Sequence, residues 1–170
     1  MVIWLTGLSA SGKTTIGKLV FKLLKEREQN TIFVDGDEIR KVFKWNKNEQ
    51  HFSEEGRRKV AESISDLCLW LDQQGMNVIC CTISLYDHLH RRNRKSFSGY
   101  FEVFLDTPFQ QLRERDRKKL YSTEMPHVAK NVVGVDLPYN KPKKPDLVIK
   151  NKNGEDLEKI AQIILNKAGF

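Results

Sequence analysis

The sequence predicts an α/β fold of three layers: a mostly parallel five-stranded sheet with helices on both faces. Two observations carry this. Short apolar, β-rich runs alternate with stretches whose apolar residues recur at helical spacing, the pattern of parallel strands joined by helical crossovers. Near the start, Gly7-Leu8-Ser9-Ala10-Ser11-Gly12-Lys13-Thr14 matches G-x-x-x-x-G-K-[ST] at every fixed position and stands between such a strand and such a helix. The 170 residues suit one domain, 1–170, with a sizeable core.

The elements follow in order. Val2 to Thr6 is apolar and β-branched, a buried strand; Thr15 to Lys25, with Ile16, Leu19-Val20 and Leu23-Leu24 at helical spacing, is a helix starting near Lys13. Thr31 to Val34 is a second strand, ending at Asp35-Gly36-Asp37. A short helix over Glu38 to Phe43 follows, with Asp35 or Asp37 as its cap. Lys44 to His51 is polar and loop-like. Ser53, followed by two acids, caps a long helix with Val60, Ile64, Leu67, Cys68 and Leu71 on one face, stopped at Gln73-Gln74-Gly75. Met76 to Ile83 is a third strand, Tyr86 to Ser96 a basic helix with a solvated face, and Tyr100 to Leu105 a fourth strand. Phe109 to Lys118 is a charged helix. Ser122 to Pro145 is a proline-bearing stretch, long enough to be functional or disordered. Asp146 to Ile149 is a fifth strand, and Asp156 to Ala168 a helix with Leu157, Ile160, Ile163 and Ile164 inward.

Composition excludes some classes. Hydrophobic residues at 39% and charged residues at 30% are ordinary for a soluble globular protein. No apolar run approaches the ~20 residues of a membrane span, and no signal peptide fits ahead of the glycine-rich motif, so the expectation is a cytoplasmic protein without a membrane partner. Cys68, Cys80 and Cys81 sit in apolar runs and read as reduced core residues. The net charge of +7 fits anionic small substrates better than nucleic acid, because the basic residues are spread along the chain without aromatic interleaving.

The chemistry lies in the glycine-rich turn. Gly7 and Gly12 let the backbone curl so that its N–H groups face a phosphate, and the following helix adds its positive end. Lys13 supplies an ammonium to the β- and γ-phosphates, and the Thr14 hydroxyl can ligate Mg²⁺. Asp35 and Asp37 stand at the carboxyl end of the second strand, where ligands bind in such sheets. One of the two can accept a proton from an attacking hydroxyl and the other can hold a metal-bound water. No Asn-Lys-x-Asp motif points to guanine specificity. A phosphate-binding module without transfer is the rival class.

The glycine-rich loop, Val34-Asp35-Gly36-Asp37 with Arg40, Phe52-Ser53, Ile83-Ser84, Phe104 to Pro108, Arg115-Asp116, Leu120-Tyr121, and Gly134-Val135-Asp136 with Pro138-Tyr139 fall in the order seen in adenylylsulfate (APS) kinases. The chain resembles that family over nearly its whole length. The resemblance implies a P-loop kinase fold and transfer of the γ-phosphoryl of ATP to the 3′-hydroxyl of a small nucleotide. It implies ATP contacts from Gly7 to Thr14, Thr15 and Arg115, with Lys13, Asp35 and Asp37 catalytic and Thr14 at the metal. It implies acceptor contacts from Asp37, Arg40, Phe52, Arg57, Ile83, Ser84 and Val132, a lid over about 122–140, and a homodimer. Ser84 matches a serine that carries phosphate in some relatives.

Departures fall on the acceptor side. The family usually shows Phe-Ser-x-x-Asp-Arg-x-x-Asn, whereas here Gly56 replaces the acid and Val60 the asparagine. Asp87 stands where the family has a cation, Met125 where it has a lid arginine, and Val132 where it has a phenylalanine that closes on the acceptor adenine. Losing one aromatic wall, worth ~1–3 kcal/mol per stacked base, fits a smaller base. The sequence looks more like the branch that phosphorylates cytidine diphosphoramidate in capsule assembly than like a sulfate-assimilation enzyme, whose product would be 3′-phosphoadenylylsulfate.

Overall fold

The alternation of apolar strands and amphipathic helices builds the expected sheet. A computed structural model describes residues 1–116, 119–121 and 131–170. Five strands, β1 (Val2–Thr6), β2 (Thr31–Asp35), β3 (Asn77–Thr82), β4 (Tyr100–Leu105) and β5 (Leu147–Ile149), form one sheet in the order β2-β3-β1-β4-β5. Every neighbouring pair is parallel.

The central strand shows why an unbroken apolar run is needed. Ile3 and Leu5 pack with α1 (Lys13–Lys25) and α6 (Leu157–Ala168), through Ile16, Val20, Ile164 and Leu165. Val2 and Trp4, on the other face, pack with Val60, Ile64 and Cys68 of α3 (Glu54–Gln73) and Leu89 of α4 (Asp87–Ser96). Both faces are covered, so β1 is apolar from Val2 to Leu5 and buried throughout. The three cysteines are free and buried. Burial pushes the Cys80 and Cys81 thiols up, which keeps them protonated and inert.

Several boundaries differ from the sequence reading. The short helix α2 spans Gly36–Val42, starting two residues earlier than expected. Asp35 is its cap, with Oδ1 accepting from the Asp37 and Glu38 amides. Residues 44–51, expected as loop, include a 3₁₀ turn over Trp45–Lys47 and most of another over Glu49–Phe52, the second capped by the Asn48 side chain. Helix α5 spans only Phe109–Glu114. In α6 the buried set is Ile160, Ala161, Ile164 and Leu165, while Ile163 is 40% exposed, because it falls on the flank turned away from β1. The basic face of α4 is solvent-facing but ion-paired: Arg92 meets Asp66, and Arg94 grips Asp146 with both terminal nitrogens. Of the segment expected as a lid, residues 122–130 lie outside the described residues. No described helix is long and apolar enough to cross a membrane.

Candidate active site

The carboxyl ends of the strands open into one cavity of about 1170 Å³. A pocket for one drug-sized ligand is about 300–1,000 Å³, so this volume exceeds that of a single such site. The loop after β1 forms its floor. Ser9, Ala10 and Gly12 to Thr15 line it, while Gly7, Leu8 and Ser11 are buried behind and shape the loop. Ala10 and Gly12 both take positive φ, 61° and 95°, so the amides between them turn inward as an anion nest. A Cβ on Gly12 would also lie 2.5 Å from the Asn151 amide nitrogen, which makes glycine obligatory there.

Lys13 is half-buried, and its ammonium donates to the Leu8 carbonyl at 2.7 Å across the loop. The Thr14 hydroxyl donates to Asp35 Oδ2 at 2.6 Å. Asp35 is thus engaged on both oxygens, one by the α2 cap and one by Thr14, and is 6% exposed. Asp37 is exposed at the first turn of α2 and lines the cavity. Two hard oxygen ligands, Thr14 Oγ1 and Asp35 Oδ2, stand together beside the phosphate loop, a set suited to Mg²⁺ that keeps most of its waters.

On the α3 side, two guanidiniums lie against the Phe52 ring, with Arg40 Cζ at 5.1 Å and Arg57 Cζ at 5.5 Å from its centroid. Burial lowers the pKa of both arginines, and Arg57 adds repulsion on Arg40. Arginine stays protonated through such shifts, so two cations held together half-buried favour an incoming anion. Val60, Ala61 and Ile64 give this end an apolar wall. Ile83 and Ser84 line it from the end of β3, with the Ser84 hydroxyl 2.8 Å from Thr82 Oγ1 and its carbonyl 2.6 Å from His90 Nε2. At the other end, Arg115 sits in the cavity wall with Nε donating to Asn153 at 2.8 Å.

Two departures stand differently from their sequence reading. Asp87 pairs with Arg91 and Lys143 and is not among the cavity-lining residues. Val132 touches the cavity but is 5% exposed and packed with Leu8, Leu112 and Tyr121. In that cluster, burial and then the charge of Asp116 push Tyr121 up to about 12, so its phenol stays a donor to the Ser9 carbonyl. Met125 lies outside the described residues.

Sequence reasoning missed Asn151. It is 2% exposed, and its amide donates to the Ser11 carbonyl at 2.8 Å, with Thr107 reaching the same oxygen at 3.3 Å. The one available signal was its place in the polar run Lys150 to Asn153 just past β5, at the functional end of the sheet. Asn151→Ala leaves the Ser11 carbonyl with one weaker partner. We expect a loss of about 1–3 kcal/mol in stability and a several-fold rise in KM for ATP. Thermal unfolding with and without ATP checks this, and an unchanged KM places Asn151 outside the loop's support.

The family model for adenylylsulphate kinase matches residues 1–150. The chain is 37% identical over 166 residues to the cytidine diphosphoramidate kinase of Campylobacter jejuni, covering 98% of this chain and 95% of that one. It is 34% identical over 150 residues to an adenylyl-sulfate kinase of Pseudomonas aeruginosa, covering 87% and 75%. Among solved structures it is similar to the Mycobacterium tuberculosis APS kinase CysC in complex with AMPPNP and APS, with a TM-score of 0.83, 31% identity, and 98% and 95% of the two chains covered.

Proposed function

The chain belongs to the adenylylsulphate kinase family and is an ATP-dependent phosphotransferase acting on nucleotides; from that premise we propose that it phosphorylates the 3′-hydroxyl of a nucleotide 5′-phosphoanhydride, with cytidine diphosphoramidate or a similar cytidine 5′-diphosphate conjugate as favoured acceptor. The observation that carries this reading is the contact of Arg40 and Arg57 with the Phe52 ring, beside the apolar Val60 wall. An aromatic ring accepts a base, and two guanidiniums accept the attached diphosphate-like group. Val60 presents no hydrogen-bond partner where the family usually has asparagine. Nearly full-length similarity to a cytidine diphosphoramidate kinase supports the same choice.

In the reaction, the acceptor 3′-oxygen forms a bond to the γ-phosphorus as the bond from that phosphorus to the β,γ-bridging oxygen breaks. ADP leaves, and the hydroxyl proton passes to a carboxylate. Asp37 is exposed toward the cavity and takes that proton; Asp35, held by Thr14 and the α2 cap, positions Thr14. Lys13 and the loop amides hold the donor phosphates, and Arg115 with Asn153 flanks the far end of the donor. Thr14, with Asp35 beside it, would hold Mg²⁺, which would supply neutralisation of charge on the transferring group.

Parallel steady-state assays of both acceptors test the proposal. Wild-type protein is expected to show a kcat/KM at least ~10-fold higher for the cytidine conjugate than for adenylylsulfate, within the range set by unpaired polar groups. Val60→Asn is expected to shift that ratio toward adenylylsulfate. A phenylalanine at 132 is the poorer probe, because it would overpack the Leu8–Leu112–Tyr121 cluster. If wild-type protein turns over adenylylsulfate better, it is a plain APS kinase; if no acceptor releases ADP above background, phosphate binding is not coupled to transfer.

A further inference from the structure

We infer that Gly56 is a specificity-determining position: by carrying no side chain it lets the Glu49–Phe52 turn seat directly on the first turn of α3, and that seat fixes the ring the acceptor meets. The inference rests on the reading that Phe52 and its two arginines bind the acceptor. A Cβ at Gly56 would lie 1.9 Å from the Gln50 carbonyl oxygen, 2.7 Å from the His51 Cα and 2.8 Å from the Gln50 carbonyl carbon. All three are backbone atoms, so no rotamer change relieves the clash. Glycine weakens a helix relative to alanine, a cost that here accompanies a backbone-to-backbone contact no other residue permits.

The seat joins several parts into one unit. The three successive carbonyls of the turn are each held. Gln50 accepts from the Ser53 hydroxyl at 2.6 Å, His51 from Arg40 at 3.1 Å and Phe52 from Arg57 Nε at 2.9 Å. The same Ser53 hydroxyl accepts from the Gly56 amide at 3.1 Å, capping α3. Arg57 also reaches the Asn131 carbonyl at 2.9 Å, which ties the turn to the wall carrying Val132. The arginines that hold the turn are the two that meet the Phe52 ring, so displacing the turn moves ring and guanidiniums together. Any side chain at 56 must push the Gln50–His51 backbone out by about 1 Å, enough to misplace a positioned group by up to ~10²-fold in rate.

The test uses Gly56→Ala and Gly56→Asp in the full chain, with steady-state kinetics on ATP, the cytidine conjugate and adenylylsulfate. Each variant is expected to raise KM for the acceptor preferred by wild-type protein at least ~10-fold, leave KM for ATP within about twofold, and change the ratio of the two acceptors. Trp45 emission should shift, because its ring lies 6.0 Å from that of His51 in the moving turn. Ser53→Ala, which adds no volume and leaves the Gln50 carbonyl only the Ser53 backbone amide at 3.2 Å, should move acceptor KM in the same direction and serves if the glycine variants do not fold. Equal losses on both acceptors and ATP, or acceptor KM within twofold in a folded variant, overturn the inference. Which acceptor wild-type protein prefers is read from wild-type protein alone, so failure of the proposed acceptor and failure of the Gly56 effect are separate results.

Discussion

Lys13→Ala is expected to lower kcat by at least ~10²–10³-fold, the scale for removing one preorganised group that meets developing charge. The side chain is half-buried at the cavity floor, and its ammonium crosses the loop to the Leu8 carbonyl. Phosphate oxygens compete well for such a donor, because a charge-assisted contact to an anion is stronger than one to a neutral carbonyl. The variant should keep its circular dichroism spectrum, since the loop retains its glycines, the Tyr121 and Asn151 contacts and the buried Ser11. A folded variant with near wild-type turnover removes Lys13 from the donor site.

Asp37→Asn is the second large effect, and its contrast with Asp35→Asn separates two roles. Asparagine keeps the shape of Asp37 but cannot take a proton, so kcat should fall ~10²-fold or more, the range of general-base catalysis, with little change in the Mg²⁺ requirement. Asp35→Asn keeps a cap for α2, because asparagine caps as well as aspartate. It removes the anion facing the Thr14 hydroxyl. The expected result is ~10–100-fold weaker metal dependence or activity, partly restored by raising Mg²⁺. Metal titrations of the two variants decide between the roles. If Asp35→Asn is the one insensitive to Mg²⁺ and Asp37→Asn is restored by it, the assignments exchange.

The proposed donor half of the site was legible because its pattern is local. Eight consecutive residues, Gly7 to Thr14, carry the turn, the lysine and the threonine hydroxyl, and the flanking strand and helix are read from periodicity. The acceptor half was legible only as residue types. That Arg40 and Arg57 both meet the Phe52 ring depends on how a turn docks on a helix, which periodicity does not encode. Val132 reads as a lost aromatic wall in the sequence, yet it is packed in the Leu8 cluster, and Asp87 reads as a repelling charge, yet Arg91 and Lys143 pair with it. The neighbours of Val132 and the Lys143 partner of Asp87 are distant in the chain, whereas Arg91 stands one helical turn from Asp87. Gly56 reads as a missing side chain, and only the backbone approaching it shows what its absence permits. Asn151 belongs to no motif and meets the loop 140 positions away.

The place of β1 at the centre of the sheet also governs how the chain reaches this state. Val2 is in register with Val78 on one side and with Tyr100 on the other, so the strand that delivers the phosphate loop has its partners far along the chain. Closing such distances costs loop entropy before any pairing is rewarded, which makes parallel sheets of this kind slow to form. During synthesis, α1 can fold as it emerges, but the loop that precedes it has no scaffold until β3 and β4 have left the ribosome. The nucleotide-binding loop, first in the sequence, is therefore assembled late, and bound ATP stabilises the folded state without helping the chain to begin folding.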